Sequence, residues 1–408
     1  MTNLPQGWEV KTLSEIGEII TGSTPSKSNV EFYGKDYPFF KPSDFEQGYF
    51  LENAGDNLSK LGFGKARQLP PKTILVVCIG SLGKVALTRV IGSCNQQINA
   101  IIPHKNIISE YIYYYCISSK FQSILFSKAP QTTLAIFNKT EFSKLEIIYP
   151  KDIKEQERIV GILDESFAKI DESIKILEQD LLNLDELMQS ALQKAFNPLK
   201  DNAKENYKLP QGWEWKSLGE IGNTSSGGTP LRNKKEYWEN GSIKWLKSGE
   251  LNDGYIDFIE ENITEEAIEN SSAKIFQKGT LLIAMYGATA GKLGILNLDS
   301  TTNQAICAFL HKDKNIKFLE KFLFYFLFFL RDKIIKDSFG GAQPNINQTY
   351  IKNLQIPLPP IKEQEQIASH LDELSSHVKN LKQNYQAQIK DLQELKNSLL
   401  DKAFKGNL

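Results

Sequence analysis

A heptad pattern sustained for almost five repeats governs what this chain can become. In residues 154–196, which begin KEQERIVGILDE, apolar side chains recur at Leu163, Ile170, Leu177, Leu184 and Ala191. A second row follows four residues behind, at Phe167, Ile174, Leu181, Met188 and Ala195. The stretch has no proline, and its single glycine, Gly161, lies near the start. This spacing predicts one long helix whose stripe must be covered by another helix. At about 1.5 Å per residue it would span roughly 60 Å, too long for the core helix of one domain.

The covering helix is written further along the same chain. Residues 362–404 begin KEQEQIASHLDE and match the first stretch at a constant offset of 208. Their stripe falls at Leu371, Val378, Tyr385, Leu392 and Leu399, and a companion row is expected three residues behind, at Leu374, Leu381, Gln388 and Leu395. What precedes each helix is duplicated too. LPQGWEVKTLSEIGEIITGSTP (4–25) returns as LPQGWEWKSLGEIGNTSSGGTP (209–230), identical at 14 of 22 positions. FFKPSDF (39–45) then aligns with WLKSGEL (245–251), TILVVCIG (73–80) with TLLIAMYG (280–287), and NQQINAIIP (95–103) with NQAICAFL (303–310). An aromatic helix follows in each copy, YIYYYCISSKF or FLFYFLFFLRDKI, and a strand ending in proline closes it.

Self-similarity on this scale sets the architecture. Residues 1–150 are read as a first globular domain, 151–196 as a first long helix and 197–208 as a polar, proline-broken linker. Residues 209–360 form the second domain and 361–404 the second long helix. The fold class is α+β, with mixed, largely antiparallel sheet plus helices in each domain. The two long helices should separate the domains as an antiparallel coiled coil, and the duplication implies pseudo-two-fold symmetry.

Composition narrows the function classes. Hydrophobic residues make up 41% and charged residues 24%, ordinary for a soluble protein. Cys78, Cys94, Cys116 and Cys307 show no CxxC spacing, and His104, His311, His370 and His377 fall in no ligand pattern, so neither a disulfide framework nor a zinc site is expected. The opening MTNLPQGWEV lacks a signal peptide's basic and apolar regions. The most apolar run, 322–330, is nine residues, against about 20 for a membrane span, and a cytoplasmic location follows. The net charge of −1 is unevenly divided. Residues 1–150 hold 15 Lys and Arg against 12 Asp and Glu, whereas 151–206 hold 8 against 13. The globular parts are the more basic, which permits nucleic-acid binding.

Two Gly-Lys loops, GSLGKV (80–85) and GATAGKL (287–293), invite a phosphate-loop reading. A P-loop needs GxxxxGK followed by Ser or Thr, and here the spacing is short and Val85 or Leu293 follows. Each loop reads instead as a tight strand–turn–strand presenting Lys84 or Lys292 to a phosphate as a positioning contact. The turns with Lys41, Ser43 and Asp44, and with Lys247, Ser248 and Glu250, put polar residues between apolar strands where the copies differ. These are the candidate base-reading surface. No methyltransferase tetrapeptide, nuclease carboxylate cluster or catalytic triad is legible, and no cofactor is expected. The aromatic helices are read as core. The two KEQE tetrapeptides at the helix starts suit either the helix macrodipole or the docking of a partner.

The duplicated LPxGWE opener, divergent domain, KEQE start and long helix resemble the specificity subunit of type I restriction-modification systems over essentially the whole chain. The NQ strand and the AQPNIN run (342–347) support the resemblance. It implies two DNA target recognition domains, each reading half of a bipartite double-stranded site. The long helices would act as the ruler between them and as docking surface for two methylation subunits. S-adenosylmethionine would belong to those subunits, and ATP hydrolysis and cleavage to the restriction (helicase-nuclease) subunits, leaving this chain non-catalytic. The first copy has SKAPQTTLAIFN (127–138) where the second has GGAQPNIN, so no base-reading role for Gln343 or Asn345 carries over to the first domain. The rival readings are a coiled-coil adaptor with two ligand-binding heads and a self-contained modification enzyme.

Overall fold

The computed structural model describes residues 4–128, 136–196, 209–312, 317–337 and 346–408. The expected linker, 197–208, lies outside them. The chain divides into two compact units, one of residues 1–178 with 385–408 and one of residues 179–384.

In the first unit, Trp8–Thr12 pairs antiparallel with Glu146–Pro150, bringing the opener beside the closing strand. A five-stranded sheet runs in the order Gly17–Thr21, Ile98–Pro103, Ile74–Val77, Val85–Thr88, Phe50–Leu51. It is antiparallel except at its last pair, Phe50 beside Leu87. A four-stranded sheet runs Asp56–Leu58, Tyr33–Phe40, Gly92–Cys94, Gln68–Leu69, with a parallel central pair. The second unit repeats this order: Gly222–Ser226, Ile306–His311, Leu281–Ala284, Leu293–Leu296, Gly254–Ile256, then Asn262–Ile263, Ile243–Leu246, Ser300–Thr302, Ile275–Phe276. The parallel pairs recur in the same places.

The unbroken apolar run TILVV follows from burial on both faces of its strand. Ile74 and Val76 pack with the aromatic and long helices, whereas Leu75 and Val77 face Phe40, Phe45 and Leu51 between the sheets. In the second unit Leu281 and Ile283 take the first role, and Leu282 and Ala284 the second. The aromatic helices are core, as read: Tyr111, Tyr114 and Tyr115 in one unit and Phe322, Tyr325 and Phe326 in the other are buried. The first copy is broken at Ser118 into Ser109–Ile117 and Ser119–Lys128, whereas the second is one helix, Glu320–Lys336.

The long helices are Ile153–Phe196 and Ile361–Ala403. Within the first unit they run antiparallel: the Arg158 guanidinium donates to the Leu408 carbonyl, and Asp171 pairs with Lys396. Within the second unit Asp185 pairs with Lys382, while Leu192 and Phe196 share a core with Ala368 and Leu371. All ten stripe residues of the first helix are buried or half-buried. The companion row of the second helix needs correction. Of that row only Leu374 is half-buried, whereas Leu381 and Leu395 are 39% and 46% exposed and Gln388 is exposed too. The covered row lies four residues behind the stripe, at Ser375, Lys382, Ile389, Lys396 and Ala403, in the register of the first helix. Lysine stems can cover a seam while their ammonium groups reach carboxylates at its edge, so polar letters hid this row.

Candidate nucleic-acid interface

The four-stranded sheet of each head packs on core residues that include none from the long helices, so it forms the outer part of the head. Short turns carry the sequence candidates at the ends of its strands. In the first head the turn Pro42–Gln47 is closed by Asp44, whose carboxylate accepts the Lys41 amide at 2.7 Å and the Gly55 amide at 2.9 Å. Asp44 is only 9% exposed, so it holds the turn in shape and does not face outward as a reader would. Ser43 is exposed, and the Lys41 ammonium pairs with Asp56. The second head repeats the cap, Glu250 accepting the Lys247 amide at 2.8 Å, with Ser248 half-buried.

The Gly-Lys turns are tight, as read. Gly83 and Gly291 have φ of +90° and +80°, a region that favours glycine. Val77 N–H donates to the Lys84 carbonyl at 2.9 Å, and Ala284 N–H to the Lys292 carbonyl at 2.8 Å. The lysine side chains differ. Lys84 pairs with Glu46 on the Lys41 turn, joining two of the predicted surfaces in one place. Hydrogen bonding to Lys84 holds the Glu46 carboxyl below its usual range. Lys292 is exposed, and among the described residues it makes no ion pair.

One cluster escaped the sequence reading. Arg232 stacks its guanidinium 3.8 Å from the Trp238 ring centre and 4.5 Å from that of Trp245. It also donates to Glu261 at 2.6 Å, and Lys247 reaches the same carboxylate at 2.6 Å. Burial would raise the Glu261 pKa, but the bonds from Lys247 and Arg232 prevail and hold it below the ordinary carboxylate range. Trp245 is anchored by Nε1–H donating to the Gly228 carbonyl at 2.9 Å. A rigid, half-exposed guanidinium on an aromatic bracket is a pre-oriented fork for a base edge or a phosphate. The one available signal was Arg232 two residues after the repeated Thr-Pro, with tryptophans at 238 and 245.

In the repeated NQ pairs the asparagines bind backbone, whereas the glutamines stay exposed. Asn95 and Asn303 of the NQ pairs accept the amides of Gln97 and Ala305, at 3.0 and 3.2 Å. Gln96 and Gln304 accept Thr24 and Thr229 hydroxyls, both at 2.5 Å. In the KEQE starts, Gln156 and Gln364 are fully buried and bind backbone groups, a role neither sequence reading foresaw. Residues 129–135 and 338–345, including Gln343 and Asn345, lie outside the described residues.

Burial pushes the Cys78, Cys94 and Cys307 thiols up to about 12. Among the described residues no group of three or more His, Cys, Asp and Glu side chains could hold a metal ion, and no helix is long and apolar enough to cross a membrane.

Two copies of one fold, each with polar, basic and aromatic residues on an outer sheet, define a duplicated recognition protein. A family model described as the type I restriction modification DNA specificity domain matches residues 5–181 and again 210–391, and the chain belongs to that family of DNA sequence-recognition subunits. The specificity subunit of the type I enzyme MjaIX from Methanocaldococcus jannaschii is 26% identical over 419 residues, covering 99% of this chain and 94% of that one. That of HindI from Haemophilus influenzae is 39% identical over 186 residues, covering 44% of this chain and 40% of that protein. Two solved structures share the fold. A chain from work on assembly and conformational transition of the type I R-M system matches with TM-score 0.81 and 21% identity, at full coverage of both chains. The HsdS subunit from Thermoanaerobacter tengcongensis matches with TM-score 0.62 and 21% identity, over 99% of this chain and 98% of that one.

Proposed function

We propose that this chain is the non-catalytic DNA reader of a type I restriction-modification complex, each head reading one half of a bipartite site. The long helices set the spacing and offer docking surface to two methylation subunits, through which restriction subunits join. One observation carries the reading: the copies agree where the head is fastened to the long helix and diverge on the outer sheet. Gln156 and Gln364 make matching backbone bonds, as do the pairs Tyr114–Asp164 and Tyr325–Asp372. On the outer sheet a lysine–carboxylate pair recurs, Lys41–Asp56 in one head and Lys247–Glu261 in the other, but the second head adds Arg232, stacked on Trp238 and Trp245 and bonded to the same carboxylate. Two heads held alike and surfaced differently suit two different half-sites.

Within each head, Lys84 and Lys292 contact phosphate, while Lys41, Ser43, Lys247, Ser248 and Arg232 lie toward the bases. Asp44 and Glu250 shape the turns. The experiment is methylome sequencing of cells carrying the full chain with its methylation subunits, beside cells in which the outer-sheet residues of one head are replaced by those of the other. The reading requires a change in one half of the modified sequence only. An unchanged motif, or one altered in both halves, would overturn it.

A further inference from the structure

In each head one turn is tied on two sides to the loops expected to meet DNA. In the first head, Gly92–Cys94 ends beside its parallel partner Tyr33–Phe40, and the Asn95 amide donates to the Phe40 carbonyl at 3.1 Å. Lys41 and its turn follow Phe40 directly. Two residues on, the Gln97 carbonyl accepts the Cys78 amide at 2.7 Å, just ahead of the turn that carries Lys84. The second head repeats both bonds. Asn303 donates to the Leu246 carbonyl at 2.9 Å, next to Lys247, and Met285 donates to that of Ala305 at 2.7 Å, ahead of the Lys292 turn.

A third loop closes on this turn. The Ser23 amide donates to the Cys94 carbonyl, and the Gly228 amide to that of Thr302, both at 2.9 Å. Gly22 and Gly227 have no room for a side chain, because a Cβ would stand 2.0 Å from the carbonyl oxygen of Asn95 or Thr302. That close approach brings Thr24 onto Gln96 and Thr229 onto Gln304, each hydroxyl donating to the carboxamide oxygen at 2.5 Å. All four residues are exposed.

The threonine fixes the plane of the carboxamide and engages its acceptor. Among the described residues, neither glutamine NH2 has a protein partner. A glutamine that reads adenine uses oxygen and nitrogen together. One whose oxygen is turned to a threonine offers its N–H donors alone. Around this pair the heads differ, with Pro42 against Ser248, Ser43 against Gly249 and Gln97 against Ala305. The Thr–Gln pair is the same in both. Two surfaces built for different half-sites share a contact only to what the half-sites share, and that is the sugar-phosphate backbone.

We propose that Gln96 and Gln304 each donate a hydrogen bond to one DNA phosphate oxygen, with Thr24 and Thr229 holding the carboxamides in place. The inference rests on the reading of both heads as DNA readers. It gives them a neutral, matched contact that sets the register of each head on its half-site.

The test uses the full chain assembled with its methylation subunits. The probes are a duplex of the sequence that the unsubstituted chain modifies and an unrelated duplex of equal length. Gln96→Glu keeps an acceptor for the Thr24 hydroxyl but puts a carboxylate oxygen in place of the NH2. A purely structural bond survives that change, whereas a phosphate contact becomes a repulsion. Gln96→Ala should weaken binding to both duplexes about tenfold, the loss of one hydrogen bond to a charged group, and Gln96→Glu should weaken it further. Because the carboxamide is neutral, Gln96→Ala should leave the salt dependence unchanged, unlike the loss of a lysine. Neutralising phosphates one at a time as methylphosphonates should reveal one whose effect vanishes in Gln96→Ala. Another, in the other half-site, should lose its effect in Gln304→Ala. Binding by Gln96→Glu equal to that of the unsubstituted chain would overturn the proposal, as would a loss confined to the first duplex together with a changed modified sequence. Failure of the unsubstituted chain to modify any two-part sequence would instead overturn the DNA-reading function itself.

Discussion

Gln156 Oε1 accepts the backbone amide of Ile108 at 3.0 Å, so the first long helix holds the entry to the aromatic helix. The same amide group donates to the Pro150 and Asn106 carbonyls at 2.9 and 3.3 Å. Gln364 repeats the clamp with Leu319, Pro359 and Lys317 at 2.9, 3.0 and 3.1 Å. Glutamine is the residue that fits, because one side chain must both accept and donate. Gln156→Ala should strand the Ile108 amide and two carbonyls, costing about 1–3 kcal/mol in that head's unfolding transition. Chemical denaturation of the full chain, read at both transitions, checks this. Gln364→Ala should move the other transition.

Arg232→Ala should relax discrimination at one position of one half-site by about 1–3 kcal/mol. Lysine should not restore it, because the flat fork and its stacking on Trp238 are both lost. Binding to oligonucleotides randomised one position at a time reads this out. A uniform loss across all sequences would instead make Arg232 a phosphate contact.

Removing Lys292 should weaken binding to all sequences and reduce the salt dependence by about one counterion per contact. Lys84→Ala should do the same. Glu46→Gln should act in the opposite direction, because it frees Lys84 from its ion pair. Affinity measured across a salt series checks all three.

Glu261 has a folded-state pKa below its ordinary value, so its contribution is present above the unfolded carboxylate pKa. It is lost as pH falls through the depressed folded value. The second head should therefore hold its Arg232–Glu261–Lys247 group unchanged through neutral pH and loosen only in acid. Glu261→Gln should remove that acid-side slope, as measured by denaturation at a series of pH values.

A chain of residues 1–206 should dimerise. In the full protein the first head's core is completed by Leu400, Ala403 and Phe404, with the Phe404 ring edge-on to Tyr111 and Tyr115. The half-chain lacks them but carries the equivalent Leu192, Ala195 and Phe196 on its own helix. A second copy can supply these, giving a dimer that recognises an inverted repeat of the first half-site. Sedimentation should show the dimer, and Phe196→Ala should weaken it by about 3–5 kcal/mol, the cost of deleting a buried aromatic ring. A soluble monomer would contradict the equivalence of the two helix ends.

The duplication, the long helices and the aligned strands of each head were legible in the linear chain. They rest on periodicity and local pattern: heptads for the helices, and apolar runs such as TILVV, returning as TLLIA, for a strand. The lysines of the tight turns were legible too, because glycine spacing marks such turns. What tertiary structure decided was direction and partnership. Asp44 and Ser43 are neighbours in sequence, yet one is tied to the Gly55 amide, eleven residues away, and the other is exposed. Glu261 gathers Arg232 and Lys247 from separate strands and loops, and the second helix seals its seam with Lys382 and Lys396 where apolar residues were expected. Gln156 and Gln364 look like surface residues of a charged helix start until the fold surrounds them. A side chain's role in such cases depends on which distant backbone or charge reaches it, and that is a property of packing that no local pattern encodes.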